Sequence, residues 1–188
     1  MRCFIALGLE EGPASSLAPW LESTRERFKE LAVIPPGNLH LTLAFLGDLG
    51  LEAVEAAGAA VVEAAKERRG WTLRWSGAGV FPTPSRPRVL WLGVDGGDAL
   101  VDAHRALIVA LAASRLPVEE RPYRPHLTLA RVRRLGLSPE RRNEVVTHLG
   151  TLPAVEPSRV VSLVLYQSRL GGGPAVHIPL VTAPLATP

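Results

Sequence analysis

The sequence predicts an α+β fold of two similar β-α-β lobes, in which mostly antiparallel sheets face a central cleft and the helices lie outside. One observation is a repeat, because the pentapeptide HLTLA occurs at residues 40–44 and again at 126–130. The second is the order of the patterns: each half has a strand, a helix and an HLTLA strand, followed by a further helix or strand pair. We infer an internal duplication, and one bilobal domain over residues 1–188 to which each lobe contributes one such strand.

The first half of the chain alternates strand and helix signals. Residues 2–9 form an apolar run that predicts a strand, and residues 14–31 carry apolar side chains near helical spacing. Those side chains are Leu17, Trp20, Leu21, Phe28 and Leu31. The segment 39–46 predicts a strand, and the Ala- and Val-rich segment 51–67 predicts a helix closed by Gly70.

The second half contains the remaining strands and two more helices. The predicted strands are 71–81, 88–94, 126–132, 160–168 and 175–181. The segment 98–114 has the apolar stripe of a helix, and the segment 138–149 begins with Ser138 as a cap and Pro139 at the first helical position. The proline-rich segment PTPSRPR and the run of three glycines after residue 170 are predicted to be turns.

The composition is that of a globular protein. Of 188 residues, 47% are hydrophobic and 21% charged, and no apolar run approaches the roughly 20 residues that span a bilayer. The apolar start of the chain meets Glu10 too early for a secretory signal, so we expect a cytoplasmic protein without a membrane partner, and a monomer. Cys3 is the only cysteine, which excludes an internal disulfide and a thiolate metal cluster.

The net charge of +3 comes almost wholly from arginine, since Lys29 and Lys66 are the only lysines. Guanidinium groups bind phosphate bidentately and stack on bases, which favours a nucleic-acid or nucleotide partner. The composition of the genome could produce the same enrichment, so the charge is supporting evidence only.

The two HLTLA strands each present one polar face. Side chains alternate along a strand, so His40 and Thr42 point one way, about 7 Å apart, and the leucines point into a core. The same holds for His126 and Thr128. If the two halves face each other across a pseudo-twofold axis, two imidazoles approach one groove from opposite sides.

Such an arrangement suits acid-base chemistry at phosphorus. An in-line displacement needs one group that takes a proton and an opposite group that gives one, and histidine does both near neutral pH. The threonine hydroxyls can donate to the non-bridging oxygens. Two readings compete with this one: an ordinary half-buried strand and a zinc site. Two histidines without an adjacent carboxylate fall short of the ligands that zinc requires, and no metal is expected.

The segments PPGNLHLTLAFLG and RPYRPHLTLAR resemble the paired HxTx motifs of the two-histidine phosphoesterase superfamily, specifically its RNA 2′,3′-cyclic phosphodiesterases, formerly described as 2′-5′ RNA ligases. The segments RCFIALGL, FPTPSRPRVLWLGV and SRLGGGPAVHIPL extend the resemblance over the whole chain. It implies hydrolysis of a 2′,3′-cyclic phosphate at an RNA end to a 2′-phosphomonoester, with no metal and no cofactor. RNA, for example a tRNA fragment, is then the partner.

The resemblance also implies roles for five residues. His40 would give a proton to the leaving 3′ oxygen, and His126 would activate water. Thr42 and Thr128 would hold the phosphate, and Arg131 matches the arginine that follows the second motif in the family. A regular strand would aim Arg131 away from the histidine, so a twist or bulge after Thr128 is required.

Two other functions fit the same residues. Ligation of 2′-5′ ends is the same chemistry run backwards, and a non-catalytic RNA- or nucleotide-binding module could retain the groove. The chain also departs from the family where relatives carry aromatic residues, at 32–34 and near His177. His177 is either a substitute for that aromatic contact or a surface residue, and we expect the latter.

The remaining basic residues have structural interpretations. His104 lies on an apolar helix stripe and is expected at the edge of the core, and His148 lies in a last helical turn, where a partly positive imidazole is favoured. Five arginines follow the second motif and form either a solvated face or a track for the RNA backbone. They are Arg131, Arg133, Arg134, Arg141 and Arg142.

Overall fold

The computed structural model describes residues 1–10, 12–119, 121–133 and 136–187, and Arg134 of the arginine cluster lies outside them. Within these residues the fold is α+β, as predicted, with an eight-stranded sheet and four α-helices. The strands are β1 Arg2–Glu10, β2 Leu31–Val33, β3 Thr42–Asp48, β4 Trp71–Phe81, β5 Val89–Asp95, β6 His126–Val132, β7 Ser158–Arg169 and β8 Val176–Pro184. The helices are α1 Ala14–Arg27, α2 Leu51–Ala65, α3 Gly97–Ala113 and α4 Pro139–Leu149.

The named strands pair antiparallel in the order β2-β6-β5-β4-β7-β1-β3, and β8 pairs with β7 along Ser162–Arg169, beyond the residues of β7 that pair with β4. The antiparallel sheets of the sequence prediction are thus confirmed. The start of α4 is confirmed as well, because the Ser138 hydroxyl accepts a hydrogen bond from the backbone N–H of Arg141 and Pro139 is the first helical residue.

Two predicted boundaries near the first motif were wrong. The first helix ends at Arg27 and not at residue 31, because Leu31 begins a short strand that pairs with β6. Phe28 and Leu31 are still buried, so their apolar character marks the core and not a continuing helix. The strand that contains the first motif begins at Thr42, and Leu41 makes only an isolated β-bridge.

The core consists of two clusters of buried side chains. The first contains residues of β1, β3 and β7 with α2 and α3, and the second contains residues of β5 and β6 with α1 and α4. The helix α1 therefore packs in the cluster of the second motif strand, β6, and α3 packs in the cluster of the first motif strand, β3. The pairing of β2 with β6 explains why α1 packs near β6, because only a few residues join α1 to β2. We propose that the two clusters are the cores of two lobes of one domain.

The helices lie on the side of the strands that carries the leucines of the repeats. Leu41 and Leu43 belong to the first cluster, and Leu127 and Leu129 belong to the second. The polar residues of the repeats thus face away from the helices. Cys3 is buried. None of the helices that the model describes is both long enough and apolar enough to cross a membrane.

Candidate active site

A single antiparallel β-bridge between Leu41 and Leu127 joins the two repeats. Both leucines are fully buried, each in a different core cluster. In an antiparallel bridge the flanking residues become neighbours in reverse order, so His40 lies beside position 128 and Thr42 lies beside position 126. The four polar residues of the motifs therefore occupy one patch on the side of the strands opposite the two leucines. The structure brings together the residues that the repeat singled out.

The same irregularity occurs at the same place in both repeats. The pairing of β3 with β1 skips Leu43, and the pairing of β6 with β5 skips Leu129. An extra residue on one strand is a β-bulge, and beyond it the alternation of side chains is shifted by one. Arg131 therefore faces the same side as Thr128, which meets the requirement for a bulge after that threonine. Its guanidinium is exposed, and its charge acts on His40.

Each motif histidine is held by the backbone in the same way. The Nδ1 atom of His40 lies 2.7 Å from the carbonyl oxygen of Asn38, and Nδ1 of His126 lies 2.7 Å from that of Arg124. A carbonyl oxygen only accepts, so Nδ1 is the protonated nitrogen in both rings. In the neutral form, Nε2 then carries the free lone pair of each imidazole. Both rings are set up to exchange a proton at Nε2.

Aromatic rings support both histidines. The buried ring of Phe4 lies 4.7 Å from the His40 ring, measured between centroids, and it also packs against Tyr166 at 5.2 Å. The ring of Phe81 meets that of His126 edge-on at 5.1 Å. These contacts restrict the orientation of the imidazoles, and they make the surroundings of His40 apolar.

Burial lowers the pKa of His40 to about 4. The hydrogen bond to the Asn38 carbonyl opposes this shift, and the nearby charges of His177, Arg131 and His126 add to it. His40 is therefore neutral at neutral pH. The role of proton donor, which the family resemblance implies, requires that a bound phosphate anion raises this pKa.

The expectation that His177 is a surface residue was wrong. Its ring is half-buried on β8, 5.1 Å from the His40 ring and 4.9 Å from that of Phe4, edge-on to both. Its Nδ1 atom is buried and has no hydrogen-bond partner among the residues that the structure describes, and burial lowers the pKa of the ring. The family resemblance contained a signal for this position, because it places an aromatic residue near His177 and an imidazole can occupy the same space.

A tyrosine that the sequence analysis did not single out also supports the site. The hydroxyl of Tyr123 donates a hydrogen bond to the carbonyl oxygen of Thr42, at 3.1 Å, from the loop that precedes the second motif. Its ring stacks on that of His104, with centroids 3.9 Å apart. His104 is half-buried, which confirms its expected place at the edge of the core. A tyrosine in a proline-rich loop carries no signal that identifies such a partner.

The expected positive character of His148 was wrong. The ring lies in the last turn of α4, as predicted, but it is buried, and its Nε2 lies 2.8 Å from the hydroxyl of Thr24. It also stacks on Trp20, with centroids 4.9 Å apart. Burial lowers the pKa of His148, so the ring is a neutral part of the second core cluster.

Besides Arg133, which donates a hydrogen bond to the carbonyl oxygen of Leu31 at 3.3 Å, two arginines of the cluster are engaged within the protein. Arg141 forms hydrogen-bonded ion pairs with Glu30 at 2.8 Å and Glu144 at 2.6 Å. Arg142 donates to the backbone carbonyl oxygens of Leu137 and Ser85. These side chains connect α4 to neighbouring segments, and this role belongs to neither of the two alternatives, a solvated face or a track for RNA.

The cleft has few of the side chains that bind metals. In the part of the chain that the structure describes, no three His, Cys, Asp or Glu residues come together as a group that could hold a metal ion. The zinc alternative thus has no ligand set among these residues. Independence of metal remains a prediction about the reaction.

Comparison with known proteins identifies the family. A model of the 2′-5′ RNA ligase superfamily matches residues 13–171, and the chain belongs to this superfamily. The RNA 2′,3′-cyclic phosphodiesterase of Methanothermobacter thermautotrophicus is 31% identical over 172 residues, which are 90% of this chain and 91% of the relative. The family resemblance drawn from the paired motifs is therefore confirmed.

Solved structures agree over almost the whole length. A protein of Thermus thermophilus superposes with a TM-score of 0.77 and 26% identity, covering 98% of each chain. The LigT protein of E. coli in complex with 3′-AMP superposes with a TM-score of 0.72 and 27% identity, covering 98% of this chain and 97% of LigT.

Proposed function

We propose that this protein hydrolyses 2′,3′-cyclic phosphate ends of RNA to 2′-phosphomonoesters, with His40 and His126 as the acid-base pair and without a metal. The observation that carries the proposal is the Leu41–Leu127 bridge, which sets two Nδ1-anchored imidazoles beside one polar patch. The names of the relatives support the substrate, since several of them are RNA 2′,3′-cyclic phosphodiesterases.

The proposed reaction is one in-line displacement. Nε2 of His126 takes a proton from water, and the water oxygen attacks phosphorus as the bond from phosphorus to the 3′ oxygen breaks. Nε2 of His40 gives its proton to that departing oxygen, so the phosphate stays on the 2′ oxygen. The hydroxyls of Thr42 and Thr128 donate to the non-bridging oxygens, and Arg131 balances their negative charge.

The lowered pKa of His40 fits this reaction only with the substrate in place. A phosphate anion next to the ring stabilises the imidazolium and raises the pKa. The acid then becomes charged when there is a leaving group to protonate.

A second candidate is ligation of 2′-5′ ends, which the name of the matched superfamily favours. In that reaction a 5′-hydroxyl takes the place of water, so ligation is a parallel reaction of the cyclic phosphate and not the reverse of its hydrolysis. His126 would take the proton of the 5′-hydroxyl, its oxygen would attack phosphorus, and His40 would protonate the departing 3′ oxygen, which leaves a 2′-5′ phosphodiester. We also propose that the substrates are RNA fragments such as those of tRNA. The protein is proposed to be cytoplasmic and monomeric.

The decisive experiment uses a short RNA that ends in a 2′,3′-cyclic phosphate, with analysis of the product. We expect a 2′-phosphate and a free 3′-hydroxyl. His40→Asn and His126→Asn are matched variants, because the Asn side chain keeps an N–H donor near the position of Nδ1 and lacks Nε2. The turnover of each variant should be about 10²- to 10⁴-fold lower than that of the wild type. Each variant should still bind 3′-AMP, and its thermal unfolding should be unchanged.

Three results would contradict the proposal. Near-normal turnover in both variants would remove the histidines from the chemistry. Loss of activity on dialysis against EDTA, with recovery on addition of zinc, would contradict independence of metal. Binding of the cyclic phosphate without turnover at any pH would select the non-catalytic binding module.

A further inference from the structure

The hydroxyl of Tyr123 joins the two motifs by a contact outside the β-bridge. It donates to the carbonyl oxygen of Thr42 in the first motif, at 3.1 Å, although Tyr123 lies three residues before His126 of the second. A partly buried phenolic hydroxyl usually has such a partner, so the bond alone is not unusual. The groups that lie at its two ends connect it to the proposed reaction.

The acceptor end lies on the first motif strand. The carbonyl oxygen of Leu41 accepts a hydrogen bond from the backbone N–H of Leu7 in β1, at 3.0 Å. Successive carbonyl groups of an extended chain point to opposite sides, so the Thr42 carbonyl points away from β1. Tyr123 therefore reaches the edge of β3 that β1 does not cover. There it holds the main chain of the threonine that is proposed to bind the phosphate.

The donor end lies next to the anchor of His126. Tyr123 is followed by Arg124, whose carbonyl oxygen lies 2.7 Å from Nδ1 of His126 and accepts its hydrogen bond. Pro122 and Pro125 flank these two residues, and a proline restricts its own backbone and that of the residue before it. A displacement of Tyr123 would therefore be passed on to the Arg124 carbonyl and from there to the imidazole.

The ring of Tyr123 is held by the core of the first motif. It lies almost parallel to the ring of His104 on α3, with an interplanar angle of 4° and centroids 3.9 Å apart. Tyr123 packs against the first core cluster, whereas Leu127 of the second motif belongs to the second cluster. Burial lowers the pKa of His104 and raises that of Tyr123, so both rings are uncharged at neutral pH.

The first histidine is anchored in a different way. The carbonyl that holds His40 belongs to Asn38, and the side-chain amide of Asn38 donates to the carbonyl oxygen of Ala175, at 2.6 Å. That anchor connects His40 to the segment that begins β8. The anchor of His126 connects it instead to the other motif.

We propose that Tyr123 is a positioning residue that fixes His126 relative to Thr42, and thereby the distance from the base to the bound phosphate. The inference rests on the proposed function, in which His126 activates water and Thr42 binds the phosphate. Tyr123 acts through two hydrogen bonds, its own to Thr42 and that of His126 to Arg124, and not by contact with a reacting atom.

The kinetic test removes the hydroxyl and keeps the ring. Tyr123→Phe should lower kcat for adenosine 2′,3′-cyclic phosphate about 10-fold and change KM by less than about 2-fold, because the base is misaligned while the phosphate contacts remain. Thr151→Val is the matched control, since it also removes a hydroxyl from a partly buried hydrogen bond, to Trp20 at 3.1 Å, outside the site. Both of its kinetic constants should equal those of the wild type.

The tautomer of His126 gives a measurement that does not depend on turnover. NMR of the imidazole nitrogens at about pH 9, where an ordinary imidazole is neutral, distinguishes protonation at Nδ1 from protonation at Nε2. The wild-type protein should carry the proton on Nδ1 of both His40 and His126. In Tyr123→Phe, His126 should become a mixture of the two tautomers, while His40 should stay unchanged. The His40→Asn and His126→Asn variants assign the signals.

An unchanged His126 tautomer in Tyr123→Phe would overturn the positioning role, whatever the effect on turnover. Equal changes at His40 and His126, or an equal loss of kcat in Thr151→Val, would also overturn it, because they would indicate a general loosening of the fold. A changed His126 tautomer with wild-type turnover would support the positioning of His126 by Tyr123 and would contradict the proposed function, so the two failures are distinguishable.

Discussion

The imidazole of His177 packs edge-on against the imidazole of His40, with ring centroids 5.1 Å apart. A second link joins the same segments, because the side-chain amide of Asn38 donates a hydrogen bond to the carbonyl oxygen of Ala175 at 2.6 Å, and the Asn38 carbonyl in turn accepts from His40. The start of β8 thus holds His40 through its ring and through the residue that anchors its Nδ1.

Replacing His177 should therefore affect turnover more than substrate binding. In His177→Ala the His40 ring loses one wall, so we expect kcat to fall about 10-fold with little change in KM, because the reacting geometry is lost and the phosphate contacts remain. His177→Phe keeps a ring edge and should recover most of the loss. Steady-state kinetics on a nucleoside 2′,3′-cyclic phosphate measure both constants.

Val176→Ala is the control for this experiment, since Val176 is the exposed neighbour of His177 on β8. A rise in KM at constant kcat in His177→Ala would mean that His177 contacts the substrate and does not position His40.

Phosphate should raise the pKa of His40. The value of about 4 arises mainly from burial, and the positive charges of Arg131 and His126 add to it. An anion between these groups offsets both causes, so we expect an increase of at least about one unit. An NMR titration of the imidazole signals, with and without inorganic phosphate, measures the change, and the His40→Asn variant assigns the signal. A pKa that stays near 4 would favour the exchange of the acid and base roles.

Removal of Arg131 should weaken the binding of phosphate itself. The bulge at Leu129 turns this exposed side chain to the side of Thr128, where a charge-assisted hydrogen bond to a phosphate oxygen is possible. We expect Arg131→Ala to bind inorganic phosphate about 10- to 100-fold less tightly, with a weaker dependence on salt. Arg105→Ala, on the exposed face of α3, should bind it normally. Equal affinity in the two variants would place Arg131 outside the site.

The buried ring of His148 should make the fold less stable in acid. Burial lowers its pKa in the folded protein, so between that pKa and about 6.5 the unfolded chain binds a proton that the folded chain does not. The contribution is therefore complete above about pH 6.5 and is lost as the pH falls below it, with a limiting slope of about 1.4 kcal/mol per pH unit.

Chemical denaturation at pH 7 and pH 5 measures this effect. The His148→Gln variant can still hydrogen-bond to Thr24 but does not titrate, so its free energy of unfolding should fall less between the two pH values. His40, His104 and His177 also have lowered pKa values and are common to both proteins. Parallel losses in the two proteins would show that His148 does not titrate on unfolding.

The sequence predicted most elements of the fold and the members of the polar patch, because both follow from local patterns. The alternation in HLTLA determines which side chains share a face, and the repeat indicates that two such faces belong together. The three-residue strand β2 was not predicted, since Leu31–Val33 is too short to show a period and is defined by its pairing with β6. The places of His177 and Tyr123 beside the motifs also depend on tertiary contacts, which no spacing in the sequence reveals.

The exchange of α1 and α3 between the two core clusters has a consequence for how the protein folds. Each half of the chain contains only one of the two helices that pack in the cluster of its own motif strand, so a fragment cut between the halves would expose apolar surface and would not form half a site. Each half of the chain therefore needs a helix of the other half to complete its core. We expect this exchange of helices to make the two core clusters unfold together, so that the spacing of the two imidazoles depends on the stability of both clusters.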